Sequence, residues 1–318
     1  MFVSVVSILL VIGLSLFAFT WINYRSEIGK AYGRVDSFQS KVVDTKCGQM
    51  EYIDKGEGYP VLVIHGIFGG FDQGLMVGKG QVGEGFRLIA PSRFGYLGTS
   101  MPDEPTPAKQ ADAFACLLDS LNIDKVSVVS TSAGSTSAVQ FALRHPDRAS
   151  SLIFISPNAP SEIKVGLPPK PVANIVFRSD YIFWLMTKYL GSTVESMIGV
   201  PEDFEVTPDQ RKEIDKTVRT VLPVNPRADG GIFDMYTSNQ AINEYSLENV
   251  SVPSLIIGAK DDPLAKYSNT KAMAERIPKS KLVTIEDGGH MLLGHSEEVE
   301  EEIQTFIKNN AEYQIDEI

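Results

Sequence analysis

Six short apolar runs constrain this chain more than any other feature of it. They are PVLVIHG (60–66), FRLIAPS (86–92), KVSVVS (125–130), SLIFIS (151–156), SVPSLIIG (251–258) and SKLVTIED (280–287). Each is a few residues long, rich in β-branched side chains and followed by Gly, Ser or Pro, as expected of strands buried on both faces. Between them, ADAFACLLDSLNI (111–123) has helical apolar spacing, and a second helix, 135–145, stops before Pro146. Strands alternating with helices predict βαβ units and a mainly parallel sheet. Upstream, residues 40–56 alternate in the manner of a hairpin, with Gly48 near its turn.

The alternation stops between about Asn158 and Ile242. That stretch holds PPKP (168–171), the aromatic patch YIFWLMTKYL (181–190) and the charged, helix-like TPDQRKEIDKTVRTVL (207–222). It reads as a helical cap inserted between two strands. Phe183 and Trp184 fit either a core or a ligand pocket. The expected organisation is therefore an α/β core, first part 40–157, a helical cap 158–242, and the second part of the core 243–318. At 318 residues and 43% hydrophobic, the chain is long enough to bury such a core.

Residues 1–24 carry no charged side chain, and about twenty apolar residues suffice to span a bilayer. Trp21 and Tyr24 stand where an interfacial aromatic belt would lie, and Arg25, Lys30 and Arg34 follow. A cleaved signal peptide is the competing reading, but neither a basic start nor a small-residue cleavage site is clear in the segment. It is expected to be a single-pass membrane anchor, with 25–39 as a linker. The basic residues favour a cytoplasmic domain, but Glu27 and Asp36 lie among them, and the side stays open.

A formal net charge of −11 disfavours nucleic acid as a partner. Cys47 and Cys116 are the only cysteines and show no metal-ligand spacing. They read as buried or half-buried thiols, and nothing in the sequence argues for pairing them.

SVVSTSAGSTSAVQF (127–141) carries the chemistry. Ser130-Thr131-Ser132-Ala133-Gly134 fits a nucleophile elbow with serine in place of the first glycine. A nucleophile on so sharp a turn needs small neighbours two residues away on each side, and Ser130 and Gly134 meet that need. A serine hydroxyl needs a base. Of the four histidines, His290 in EDGGHMLL lies at the C-terminal end of the last strand run, where such sheets display catalytic groups. His295 reads as a residue of a helix start and His65 as a brace. An orienting carboxylate is expected from Asp261, three residues after Gly258, while Asp262 precedes Pro263 and reads as shaping the turn. Backbone N–H donors for an oxyanion are expected from Ala133 and from Ile67, ahead of Phe68, in the glycine-rich loop HGIFGGFDQG (65–74).

Taken in order, VLVIHGIFGG, APSRFGYLGTS, VSVVSTSAGS, RHPDRASSLIFISP, LIIGAKDDP and GGHMLLGHSEEV resemble the α/β-hydrolase superfamily from about Lys41 to Phe306. The resemblance implies a mostly parallel sheet flanked by helices, an inserted cap, and a Ser-Asp-His triad carried by Ser132, Asp261 and His290. The absence of aspartate at 132 sets aside the branches that use an aspartate nucleophile. The expected activity is that of a serine hydrolase acting on a small-molecule acyl substrate, an apolar carboxylic ester above all because the aromatic cap patch and the apolar N-terminal segment favour apolar partners. Thioester, lactone, amide, peptide or carbon–carbon hydrolysis, and a non-catalytic ligand-binding role, are the alternatives. The mechanism requires no cofactor and no metal.

Overall fold

The computed structural model describes residues 2–162 and 166–311, without the side chains of residues 2–6, 8 and 9. A long helix, α1 (Phe2–Asp36), precedes the hairpin β1 (Lys41–Thr45) and β2 (Gly48–Lys55). Then follow β3 (Tyr59–Ile64), α2 (Phe71–Val77), β4 (Phe86–Pro91), α3 (Pro107–Ser120), β5 (Val126–Thr131), α4 (Gly134–Arg144) and β6 (Ala149–Ile155). The insertion after β6 holds α5 (Lys170–Phe177), α6 (Asp180–Tyr189), α7 (Gly191–Met197), α8 (Pro208–Val221), α9 (Ala228–Phe233) and the single turn α10 (Asn239–Ala241). The chain closes with β7 (Ser254–Ala259), α11 (Tyr267–Arg276), β8 (Ser280–Ile285) and α12 (Ser296–Asn310).

The strands form one sheet of order β1-β2-β4-β3-β5-β6-β7-β8. Pairing is antiparallel from β1 to β4 and parallel from β4 to β8. Burial on both faces explains the continuous apolar runs. Leu62, Ile64, Val128, Leu152, Phe154 and Ile256 pack with α3, α4 and α11 on one face. Val61, Val63, Val129, Ile153, Leu255 and Ile257 pack with α2 and α12 on the other. α3 begins four residues before the predicted 111, because Thr106 caps it by accepting from the Lys109 N–H and Pro107 sits at its first position.

Among the described residues the insertion 158–242 is helical, as the loss of alternation predicts. α8 starts with a reciprocal capping box between Thr207 and Gln210. Trp184 is core, whereas Phe183 reaches the site described below.

Three expectations need correction. Residues 25–36 are no linker: they continue α1 without a break. That part of the helix docks on the cap, where Glu27 accepts from Trp184 Nε1 at 2.9 Å, Tyr32 donates to Asp180 at 2.9 Å, and Ile28 is buried. Second, the expected span 1–24 falls partly on side chains outside the described residues, and among the described residues no helix is long and apolar enough to cross a membrane. Leu10 to Ile22 nevertheless expose most of their apolar side chains, including Leu14, Leu16, Phe17 and Phe19. Third, Cys47 and Cys116 are not free thiols but form a disulfide. The tip of the β1–β2 hairpin lies against α3, so chain folding brings together two cysteines 69 residues apart, a proximity no local spacing reveals.

Candidate active site

Ser132 occupies the turn between β5 and α4 with a φ of 48°, a region that L-residues with side chains rarely adopt. Its N–H donates to Ile155 O at 3.1 Å, and its carbonyl accepts from Ser135 and Asn158, each at 3.0 Å. These bonds hold a backbone conformation that costs about 1–3 kcal/mol. Gly134 is required by space, since a Cβ there would sit 2.6 Å from His65 O and 2.8 Å from Ile64 O. Serine fits at 130 because its side chain is buried beside β6 and its hydroxyl donates to Ile153 O at 3.3 Å.

Ser132 and His290 line one cavity of about 380 Å³, walled mainly by Ile67, Phe68, Val77, Phe183, Val194, Met197 and Leu264. No hydrogen bond joins the Ser132 hydroxyl to the ring in this state; such contacts commonly tighten only when substrate binds. His290 Nδ1 lies 2.8 Å from Asp262 Oδ2. The carboxylate on the imidazole is therefore that of Asp262 and not the expected Asp261. The turn decides this. Asp262 is fully buried, and its Oδ1 accepts from the Leu264 and Ala265 N–H groups while Oδ2 remains for the ring. The Asp261 carboxylate points instead to the loop before the histidine, accepting from the N–H groups of Gly288 at 3.1 Å and Gly289 at 2.9 Å.

The loop after β3 comes against the elbow: a Cβ on Gly66 would lie 3.4 Å from Ser132 Cβ. Among the described residues neither the Ile67 N–H nor the Ala133 N–H has an acceptor in the protein. Ile67, the residue directly after Gly66, remains the expected donor of this loop, ahead of Phe68. His65 braces the loop, donating from Nδ1 to Gly66 O at 2.7 Å and accepting the Arg93 N–H at Nε2. Burial, with Arg93 beside it, holds its pKa well below the usual histidine value, so the ring is neutral. His145 pairs with Asp112 on the outer helices, and His295 lies between Asp287 and Glu298, which raise its pKa.

Sequence reasoning also missed three supports. Gly199, at φ 80°, accepts the His290 N–H on its carbonyl, and a Cβ there would fall 2.2 Å from His290 Cβ. Arg93 forms a buried ion pair with Asp234, and Arg227 forms another with Asp72. Each pair joins the core to the cap. Their members stand 141 and 155 residues apart, so no local pattern announces them. Among the described residues no group of His, Cys, Asp or Glu side chains is placed to hold a metal ion.

A family model described as the alpha/beta hydrolase fold matches residues 59–295. The chain is 27% identical over 259 residues to the uncharacterized hydrolase YcgS of Bacillus subtilis (strain 168), covering 77% of this chain and 89% of that one. It is 22% identical over 294 residues to the 2-hydroxy-6-oxo-6-(2'-aminophenyl)hexa-2,4-dienoic acid hydrolase of Metapseudomonas resinovorans, covering 87% and 93%. The solved alpha/beta hydrolase fold protein from Nakamurella multipartita superposes with a TM-score of 0.72 at 25% identity, covering 85% of this chain and 99% of that one. With the sheet, the inserted helices and a family match over most of its length, the chain belongs to the alpha/beta-hydrolase family and is a hydrolase.

Proposed function

We propose that the chain is a serine hydrolase cleaving carboxylic esters with an apolar acyl part. The observation that carries this reading is one apolar cavity shared by Ser132 and an Asp262-paired His290, beside two backbone N–H groups without acceptors. Ser132 Oγ attacks the ester carbonyl carbon while its proton passes to His290 Nε2. Asp262 fixes the ring and stabilises the imidazolium, and the Ile67 and Ala133 N–H groups donate to the oxyanion. Collapse breaks the bond to the alcohol oxygen, which takes the proton from His290 and leaves an acyl-Ser132. Water then gives a proton to His290 and attacks the acyl carbon, and the proton returns to Ser132 as the acid departs.

The cavity wall is mainly apolar, although Gln73, Gln81, Glu213 and Lys216 also reach it, and that balance supports an uncharged substrate with an apolar acyl part. Turnover of p-nitrophenyl esters of graded chain length by the full chain tests it. Wild type is expected to react and Ser132→Ala to be inert; full activity in Ser132→Ala overturns the mechanism. Covalent labelling by a fluorophosphonate separates catalysis from a ligand-binding role. A second reading, carbon–carbon hydrolysis, is favoured by the Metapseudomonas relative, whose named substrate contains no ester. A vinylogous keto acid turned over faster than any ester would select it.

The membrane is proposed as a further partner, engaged through α1. Its exposed apolar residues run from Leu10 to Ile22, and at the end of that run Trp21 and Tyr24 pack with Tyr181 of the cap in an aromatic seam. The disulfide supports a domain on the oxidising side. Pelleting of full-length chain with vesicles, lost on deleting residues 1–22, checks the first point. Protease access to the domain in intact spheroplasts checks the second.

A further inference from the structure

α1 does more than lie on the cap: its last turn enters a buried ion network that ends at the loop beside Ser132. Arg34 Nη1 donates to Asp72 Oδ2 at 3.0 Å. The other side of that carboxylate is held by Arg227, with Nη1 on Oδ1 at 2.9 Å and Nη2 on Oδ2 at 2.8 Å. Arg227 Nη1 also donates to Gly69 O at 2.6 Å, two residues beyond Ile67. Arg34 Nη2 meanwhile donates to Thr220 O and Leu222 O, closing the end of α8, whose Val221 lines the cavity. The side chains of Asp72 and Arg227 are all but fully buried, whereas that of Arg34 is 29% exposed. Burial pushes the Asp72 carboxyl up, but Arg227 and Arg34 together outweigh it and hold the pKa below the usual range.

One guanidinium would neutralise one carboxylate; the second cation must therefore have another use. Removing Arg34 leaves Arg227 as the sole partner of Asp72, strips the donor from two carbonyls at the cap edge, and frees the pair to shift away from Gly69 O. We propose that Arg34 is a positioning residue for the loop 65–70, acting through Asp72 and Arg227 to hold the Ile67 N–H where the oxyanion forms. The N-terminal helix is thereby part of the active-site frame as well as a surface element. The effect on turnover rests on the serine-hydrolase reading above; the effect on the loop does not.

The test uses the full-length chain with Arg34→Met, which keeps the apolar stem, and Arg34→Lys, which keeps one charge-assisted donor. Tyr32→Phe serves as control, since it removes a bond from α1 to Asp180 without touching Asp72. Amide exchange read on peptides covering 65–77 is expected to quicken about tenfold in Arg34→Met and about threefold in Arg34→Lys, with β5 still protected. In the same variants kcat for an activated ester falls by about the same factors while KM changes less than about twofold. Tyr32→Phe leaves both unchanged. Wild-type exchange at 65–77 in both Arg34 variants overturns the proposal, as does loss of protection throughout the domain, which marks a purely structural role. If Arg34→Met does not fold, Arg34→Lys decides alone by the same two readings. A wild-type chain that fails to label with fluorophosphonate sinks the hydrolase reading, and the exchange result still judges the relay.

Discussion

Asp262 and His290 stand 2.8 Å apart, carboxylate oxygen to ring Nδ1, while the neighbouring Asp261 turns its two oxygens to the amides of Gly288 and Gly289. Two adjacent carboxylates after one strand thus take separate work. The first shapes the loop that carries the histidine, and the second meets the histidine itself.

This division predicts unequal losses. Asp262→Asn presents an amide to Nδ1, favours the wrong tautomer and cannot stabilise the imidazolium, so kcat is expected to fall about 10⁴-fold. Asp261→Asn retains a carbonyl oxygen for one glycine N–H and should lose about tenfold or less, through geometry alone. Steady-state kinetics on both variants, with fluorophosphonate labelling rates, would check the order. An Asp261→Asn loss equal to that of Asp262→Asn would contradict the assignment.

The elbow makes a second prediction from space. Ser130→Gly removes one buried bond to Ile153 O and is expected to leave activity within about threefold, at a stability cost of about 1 kcal/mol. Gly134→Ala places a methyl 2.6 Å from His65 O, where backbone must move, and should cost about 1–3 kcal/mol and displace the loop that carries Ile67. Thermal melts and kcat of the two variants test this directly.

What the chain disclosed about itself followed the range of the interactions involved. The buried strands were legible because each is a continuous apolar run packed on both faces, and the elbow because its chemistry is confined to five residues. Asp262 does shape the turn through the Leu264 and Ala265 amides, as its sequence suggests, but its contact with His290 was not legible because adjacent positions on a turn differ only in which way each side chain leaves the backbone. The disulfide, the Arg93–Asp234 and Arg227–Asp72 pairs and the docking of Glu27 on Trp184 all join distant segments. No periodicity records them. The N-terminal segment was legible as apolar, but its continuation as a docked helix depends on the cap surface that receives it.

The disulfide closes a loop of 69 residues, which in the chain-entropy account stabilises the fold by about 4 kcal/mol relative to the reduced chain. The double variant Cys47→Ser, Cys116→Ser is expected to lose that much in denaturant melts. Its activity at low temperature should stay near wild type, since the bridge joins the hairpin tip to α3 and no residue of the cavity. Reduced and oxidised wild type should differ by the same amount, and identical melting would remove any structural use for the pair.

His65 sets the behaviour of the fold in acid. Its ring is buried between the Gly66 carbonyl and the Arg93 N–H, and burial holds its pKa well below the model-peptide value near 6.5. Below pH 6.5 the unfolded chain therefore binds a proton that the native chain refuses, so stability falls as pH falls, by up to about 1.4 kcal/mol per pH unit from this group. His295 acts in a different window with the opposite sign. Its pKa is raised, so its contribution is present below 6.5 and is lost as pH rises through its native value. Urea melts between pH 5 and 6.5 should therefore show acid destabilisation that flattens in His65→Asn, whereas His295→Gln should lower stability by a constant amount below 6.5, a deficit that shrinks as pH rises through the native value of His295. An acid slope unchanged in His65→Asn would mean that other groups carry it and that the neutral brace does not set the acid limit of the fold.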